Sequence, residues 1–458
     1  TQVWIDEHKV GSFDSLSVPH KYELGNLSPG RYTLTIRVDN SPIVTIGDYG
    51  HAYTEHTQSK WNGLVGNLLL KASEPIYLSD VQVYPDVEKK QVNVQVHINN
   101  TTKSQQSGSI RLQSISANTG RKQVLPPVEK PFTVTESEVI ELNYSMGEKP
   151  LLWDEFDPNL YTMNVKLESE NNCYDTHAVD FGMRQMGTKN RQVTINYQPV
   201  TLRGNLECCI FPETGHPPMD VESWRRLMKI SKNHGLNHLR FHSWCPPEAA
   251  FTAADREGLY LQVETPLWYD YWMSERRLIT CSFAENDQLQ NPKPFGEDPE
   301  VVEFIQNELN RIIKTYGNHP SFCMLCIGNE IGGDYVLMNQ MIGKAKKRDP
   351  RHLYACSTAR QHVSEDDYYV THQTEGGPVR GIKSSGTSTS FREGRNAVEL
   401  PVISHEIGQY VVHPDFGELP KYTGPLKPRN LKYFREKIRQ NGLTDQVTDF
   451  KKASGIFA

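Results

Sequence analysis

The sequence predicts a multidomain chain of β plus α/β architecture, in which two β-sandwich units lead into a (β/α)8 TIM barrel short of its last strand. Three observations carry this. The chain has 458 residues, and at about 100–200 residues per domain that length exceeds one ordinary core. From Thr1 to about residue 183 the text consists of short alternating runs separated by turns, the period-two pattern of strands with one buried face. After Arg191, strand-like and helix-like segments alternate, as in a parallel sheet with crossover helices.

The first unit, residues 1–79, opens with QVWIDEHKVGSF, turns at SPGR and continues with YTLTIRVDN. The second, residues 80–185, contains QVNVQVHINN, SIRLQSISA, EVIELNY and YTMNVKLES. Its size, roughly 100 residues, suits an immunoglobulin-like β-sandwich. In the third, residues 186–458, TLRGNL precedes VESWRRLMKISKNHG, LNHLRFH precedes PPEAAFTAADREG, LYLQVET precedes PEVVEFIQNELNRIIKTYG, and FCMLCIGNE precedes YVLMNQMIGKAKKRDP. Gly235 and Gly258 stand where helix ends want positive φ. HLYACST, DYYVTHQ and LPVISHE bring the barrel strands to seven, near 202, 238, 261, 323, 353, 369 and 403. From His413 to Ala458 the text offers a loop, the helix-like RNLKYFREKIRQ and a polar end. With no eighth strand there and a first unit that opens in mid-pattern, the chain is expected to be an internal piece of a longer protein.

Composition narrows the function. The 49 basic and 55 acidic residues give a net charge of −6 with no long basic run, so neither nucleic acid nor an anionic membrane is the expected partner. A neutral or weakly charged ligand fits better. No run of 18 apolar residues suggests a spanning helix. TQVWIDEHKV lacks the basic start and apolar centre of a signal peptide; a periplasmic or secreted location would need a signal outside this chain. Seven Trp and 21 Tyr supply flat faces for sugar rings or for cores. Eight Cys are too few for a disulfide framework. Cys323 and Cys326 form a CxxC on a strand, where positions three apart face opposite sides and cannot chelate one ion. HEIGQ (405–409) ends in Gln409, which sets it apart from HExxH zinc proteases. Scattered strand-end histidines such as His216, His242, His372 and His405 suit orienting carboxylates or binding hydroxyls better than gathering a metal. No cofactor or metal is implied, and a homo-oligomer stays open.

Reactive groups of α/β barrels sit at the C-terminal ends of strands. Here those ends offer Glu207, Arg240 with His242, Glu264, Asn329 with Glu330, His372 and Glu406. Glu330 closes the apolar run FCMLCIGNE and Glu406 closes VISHE; strands four and seven of a barrel face each other obliquely across its mouth. Two carboxylates over one space can cleave an acetal. One protonates the departing oxygen, and the other attacks the anomeric carbon at a separation of about 5–5.5 Å or activates water at about 6.5–9.5 Å. Trp268 opens an aromatic cluster, LWYDYWM, with Tyr269, Tyr271 and Trp272, as a sugar-stacking wall or as loop packing.

The order of parts resembles glycoside hydrolase family 2, the β-galactosidase and β-glucuronidase family of retaining enzymes, over the entire chain. A partial jelly-roll sugar-binding domain would end in SKWNGLVGNLLLKA, and the barrel would be entered through FGMRQ; LRGNLE, NHLRFHSWCPP, AADREGLYLQVE and IGNE resemble the family's signature blocks. That likeness implies Glu330 as general acid/base, Asn329 as partner of the sugar 2-hydroxyl and Glu406 as nucleophile, with Arg240, His242, Glu264, His372, Trp268 and Glu207 binding substrate. It implies a carbohydrate partner, a β-linked glycan or oligosaccharide. Glu330 is expected to have a raised pKa, through an apolar site or the charge of Glu406. The Asn-x-Lys pair of typical glucuronidases is not found, although Lys427 and Arg429 in LKPRN could serve an acidic sugar; galactosides are expected first, β-glucuronides next, and an inactive carbohydrate-binding protein is the reading from another class. An open barrel would hold two carboxylates loosely, so weak or no turnover by this piece alone is expected.

Overall fold

The computed structural model describes residues 1–457 except 48, 54–60, 269–293, 373–389 and 391. Near the N-terminus, β1 (Gln2–Ile5), β2 (His8–Ser12) and β3 (Leu34–Arg37) form an antiparallel sheet in the order β2-β1-β3. Much of the rest of residues 13–75 crosses the surface without strands among the described residues.

The second unit is a sandwich. Its strands are β4 (Ile76–Asp86), β5 (Gln91–Asn100), β6 (Gln106–Ser116), β7 (Val128–Val134), β8 (Ser137–Ser145), β9 (Tyr161–Ser169) and β10 (Tyr174–Phe181). They form two antiparallel sheets, β4-β5-β8 and β10-β9-β6-β7. Alternation builds the core: in β5, Val92, Val94, Val96 and Ile98 are buried while residues between them are half-buried, and they meet Ile110, Leu112, Met163 and Val165 of the facing sheet. β4 runs through the division expected at 79/80.

A small sheet of β11 (Met186–Lys189), β12 (Gln192–Ile195) and β13 (Gln198–Pro199) leads into the barrel. There β14 (Gly204–Glu207), α1 (Val221–Asn233), β15 (His238–Phe241), α2 (Glu248–Glu257), β16 (Tyr260–Glu264), α3 (Pro299–Tyr316), β17 (Phe322–Cys326), α4 (Tyr335–Arg348) and β18 (Leu353–Ala355) alternate. The five strands are parallel in sequence order. After them β19 (Tyr369–Thr371), α5 (Arg392–Asn396) and β20 (Val402–Ser404) add a parallel pair. Among the described residues no strand joins β20 back to β14; α6 (Arg429–Gln440) and α7 (Val447–Phe457) follow.

Helix ends obey local chemistry. The Asp220 and Asp298 side chains accept backbone N–H groups at the starts of α1 and α3, and Gly258, at φ 71°, closes α2. α3 buries Val301, Ile305, Leu309, Ile312 and Tyr316, the stripe of a 3.6-residue period. β17 is buried throughout, as a strand covered on both faces must be; Cys323 and Cys326 sit on it as free thiols.

The sandwich supports the bottom of the barrel. Arg184, from FGMRQ, donates to the Pro320 and Phe322 carbonyls at 2.9 and 2.6 Å and to the Arg351 carbonyl. Arg351 reaches back to Val83 O and Gln82 Oε1, each at 2.9 Å, and lies over the Tyr84 ring. Trp153 Nε1 donates to Asp255 O at 2.8 Å. At the N-terminal unit, Ser17 Oγ donates to the fully buried Glu308 at 2.6 Å.

Candidate active site

Strand ends β15 to β18 and β20 converge on one polar cluster, and Arg240 organises it. Its Nε donates to Glu264 Oε1 at 2.7 Å, and its Nη2 donates to Asn329 Oδ1 at 2.6 Å and Thr358 Oγ1 at 3.1 Å. Nη1 faces His405 Nδ1 at 3.4 Å and Glu406 Oε1 at 3.7 Å. A guanidinium is planar, permanently charged and five-donored, so one buried side chain ties together four strand ends. Glu264 is fully buried. Burial would push its carboxyl up, but Arg240, His242 and the Ser243 N–H, 2.6 Å from Oε2, hold it below its ordinary value.

Glu330 follows β17 because Gly328 lets the chain pass the neighbouring backbone. A Cβ on Gly328 would stand 2.3 Å from Leu267 O, and the next N–H, of Asn329, donates to that carbonyl at 2.9 Å. Asn329 is fully buried, with Oδ1 accepting from Arg240 and from Thr358 Oγ1 at 2.7 Å. Its Nδ2 has no hydrogen-bond partner among the described residues. Leaving a buried donor unmet costs about 1–3 kcal/mol, so this amide marks a place where a ligand acceptor would be welcome.

Glu330 and Glu406 adopt φ of 49° and 44°, a left-handed backbone that costs a side-chain-bearing residue on the order of 1–3 kcal/mol and clusters at functional sites. Both side chains are over nine-tenths buried. His405 Nε2 lies 3.5 Å from Glu330 Oε1 and 3.5 Å from Glu406 Oε1; the two oxygens are therefore no farther apart than twice that distance. Glu406 also meets His242 Nε2 at 3.2 Å and accepts from Gln409 Nε2 at 2.9 Å. Ser243 Oγ accepts the His51 N–H at 2.9 Å and faces His242 Nδ1 at 3.1 Å. Its hydroxyl can then donate to Nδ1 and leave the Nε2–H for Glu406.

Electrostatics depart from expectation at one carboxylate. Burial pushes Glu406 up, but His242, His405 and Arg240 outweigh it and hold it well below the usual carboxylate range. Glu330 was expected above its ordinary value. Burial does act upward and so does Glu406, yet the His405 contact and Arg360, 3.5 Å away, leave it lowered. Neither partner can be placed beside Glu330 from the sequence, which is why the expected direction is wrong for the unliganded site.

The remaining candidates divide. Trp268 lies beside the cluster, its ring 4.8 Å from His242 and 5.9 Å from His51, and its Nε1 is buried without a hydrogen-bond partner among the described residues. The ring of His372 is 6.2 Å from that of His405. Glu207 turns to the Cys209 N–H at 3.0 Å, and burial pushes it up to about 7. Tyr269, Tyr271 and Trp272 lie outside the described residues. Sequence reasoning missed Thr358, Arg360, Ser243 and His51. The rule that strand ends line the site could have found the first two, in CSTAR after β18. Nothing local announces His51, which belongs to the N-terminal unit and meets a residue 192 positions away.

Residues 76–184 match the family model for glycosyl hydrolases family 2, and residues 186–431 match that family's TIM barrel domain. The chain belongs to glycosyl hydrolases family 2. Curated relatives include a beta-galactosidase of Pectobacterium atrosepticum, 21% identical over 362 residues, covering 76% of this chain and 32% of that protein. Beta-galactosidase 2 of Enterobacter cloacae is 25% identical over 186 residues, covering 40% of this chain and 16% of its own length. The chain thus spans less than a third of these family 2 relatives. The fold is shared with the GH2 beta-galacturonidase from Eisenbergiella tayi, solved bound to galacturonate, at a TM-score of 0.57, 17% identity, and coverage of 78% of this chain and 59% of that one. It is shared also with the beta-glucuronidase of Parabacteroides merdae, at a TM-score of 0.52, 15% identity, and coverage of 72% and 40%.

Proposed function

We propose that the chain carries the centre of a retaining, exo-acting β-glycosidase of β-galactosidase type, which releases terminal β-linked sugars through a covalent glycosyl-enzyme. One observation carries the reading: Glu330 and Glu406 each lie 3.5 Å from one imidazole nitrogen. Separation by at most twice that length accommodates the roughly 5–5.5 Å of a nucleophile paired with an acid and leaves out most of the roughly 6.5–9.5 Å range that admits an intervening water. The curated relatives' names favour galactosides.

In this reading Glu406, kept ionised by His242, His405 and Arg240, attacks the anomeric carbon while Glu330 protonates the departing oxygen. The C–O bond to the aglycone breaks and an ester to Glu406 forms. Glu330, now ionised, takes a proton from water, which attacks the same carbon and frees Glu406. Asn329 Nδ2 donates to the 2-hydroxyl as charge develops on the ring. Arg240 and Glu264 hold Asn329 and the strand ends in place, and Trp268, His242, His372 and Glu207 are assigned to the sugar-binding walls. For Glu330 to act as acid, a seated pyranoside must part it from Arg360 and expel the remaining water, so that burial, the largest influence on it, prevails.

The test is a panel of nitrophenyl β-glycosides, β-galactoside and β-glucuronide first, against the wild type, Glu330→Gln and Glu406→Gln. Release from the galactoside with retained configuration, a loss of about 10²–10⁴-fold in Glu330→Gln on poor leaving groups, and a loss on every leaving group in Glu406→Gln are expected. Preference for the glucuronide would move the specificity to an acidic sugar. A wild type that binds sugar but cleaves none of the panel would leave a carbohydrate-binding protein.

A further inference from the structure

We propose that His405 is a positioning residue whose single Nε2–H follows the negative charge from Glu406 to Glu330 and back during the catalytic cycle. The inference rests on the glycosidase reading above and deepens it. His405 is 1% exposed, and each of its ring nitrogens faces charged side chains. Nδ1 faces Arg240 Nη1 at 3.4 Å, and a guanidinium nitrogen brings only hydrogens. Nδ1 must therefore present its lone pair, and the proton of the neutral ring sits on Nε2. That N–H lies 3.5 Å from both Glu330 Oε1 and Glu406 Oε1 and makes a full hydrogen bond to neither among the described residues, so a small shift toward one or the other decides its acceptor. The main chain is fixed too, since the His405 N–H donates to Thr371 O at 2.8 Å.

The groups facing the ring are Arg240 on β15, Glu330 after β17, Glu406 after β20 and the His372 ring after β19, with Arg360 on the far side of Glu330. Burial, together with Arg240, opposes a second ring proton. Before attack the charge is on Glu406, and Nε2–H turns there. Once Glu406 is an ester it is a poor acceptor; Glu330 has given up its proton, and the same N–H turns to it. The ring proton never leaves Nε2; only its acceptor changes. One donor thus stabilises the base form of each carboxylate in turn, because charge-assisted hydrogen bonds are stronger than neutral ones.

The experiment uses the full chain labelled with 15N at histidine and 13Cδ at glutamate, as wild type, His405→Asn and His405→Gln, with Glu330→Gln and Glu406→Gln assigning the two carboxyl resonances. Expected are an Nε2–H tautomer of His405 in the wild type, and in His405→Asn a rise of both carboxyl midpoints corresponding to about tenfold tighter proton binding. Both limbs of the kcat/KM pH profile should move upward, kcat should fall with KM little changed, and His405→Gln should recover part of the loss. An Nδ1–H tautomer, or carboxyl midpoints unmoved in a folded His405→Asn variant of an active enzyme, overturns this inference alone. A wild type inert on every glycoside overturns the glycosidase reading, and the cycle with it.

Discussion

Arg360 and Asn329 serve different parts of the proposed reaction, and separate measurements distinguish them. Arg360 helps hold Glu330 below its ordinary pKa. Removing it in Arg360→Ala takes away a lowering influence, so the Glu330 pKa should rise. In the proposed mechanism the acid step needs Glu330 protonated, so activity that is lost as pH climbs through that pKa should persist to higher pH, and the alkaline limb of kcat/KM should move upward; a limb that stays put or moves down contradicts the assignment. Asn329→Ala removes the amide whose Nδ2 is left unmet. If that donor serves the 2-hydroxyl, kcat/KM should fall by about 10–150-fold on the ordinary glycoside, the worth of a hydrogen bond to a group gaining charge at about 1.5–3 kcal/mol, and much less on the 2-deoxy glycoside. Equal losses on both substrates would assign Asn329 to holding Arg240 instead.

Among the elements, β17 and its exit show what could be read in the chain and what could not. FCMLC is apolar at every position and reads as a buried strand, and the following GNE places an amide and a carboxylate at its end; periodicity and the strand-end rule suffice. The seven strands, five in one parallel sheet and two as a separate parallel pair, the helices after the first four and RNLKYFREKIRQ as α6 were equally legible. α7 was not, because VTDFKKASGIF lacks buried residues and so shows no core-facing stripe. Nor was the crowding at Gly328. A glycine in a strand exit signals close backbone approach in general, but the approaching carbonyl belongs to Leu267, on the segment after the neighbouring strand. Gly328→Ala should destabilise the folded chain by on the order of 1–3 kcal/mol as the overpacked strand ends separate, seen as a lower Tm, with greater loss of turnover than of stability because Asn329 and Glu330 follow directly. An unchanged Tm would mean the strand ends yield freely.

Across the whole molecule, the barrel is clamped from below by the sandwich. Arg184 spends its donors on three carbonyls of the barrel's lower rim. In Arg184→Ala these acceptors lose a charged donor, and hydrogen bonds of that kind are worth about 1.5–3 kcal/mol each. Chemical denaturation of the variant should therefore show a loss on the order of 3 kcal/mol or more and separation of one transition into two as the sandwich and barrel uncouple; a single transition with under about 1 kcal/mol lost would show that the clamp is dispensable. Such long-range pairings were beyond the sequence, where FGMRQ signals entry to the barrel but not what its arginine grips. The same holds for Glu330, whose lowered pKa depends on Arg360 and His405 from two other strand ends.

The contact of His51 with the barrel has a practical corollary for anyone trimming this chain. Its main-chain N–H props Ser243, and Ser243 in turn faces the imidazole beside Glu406. A minimal version cut at the start of the barrel would keep both carboxylates yet lose the buttress behind the histidine that meets Glu406, so the smallest workable unit has to include the segment that carries residue 51, however remote it looks on paper.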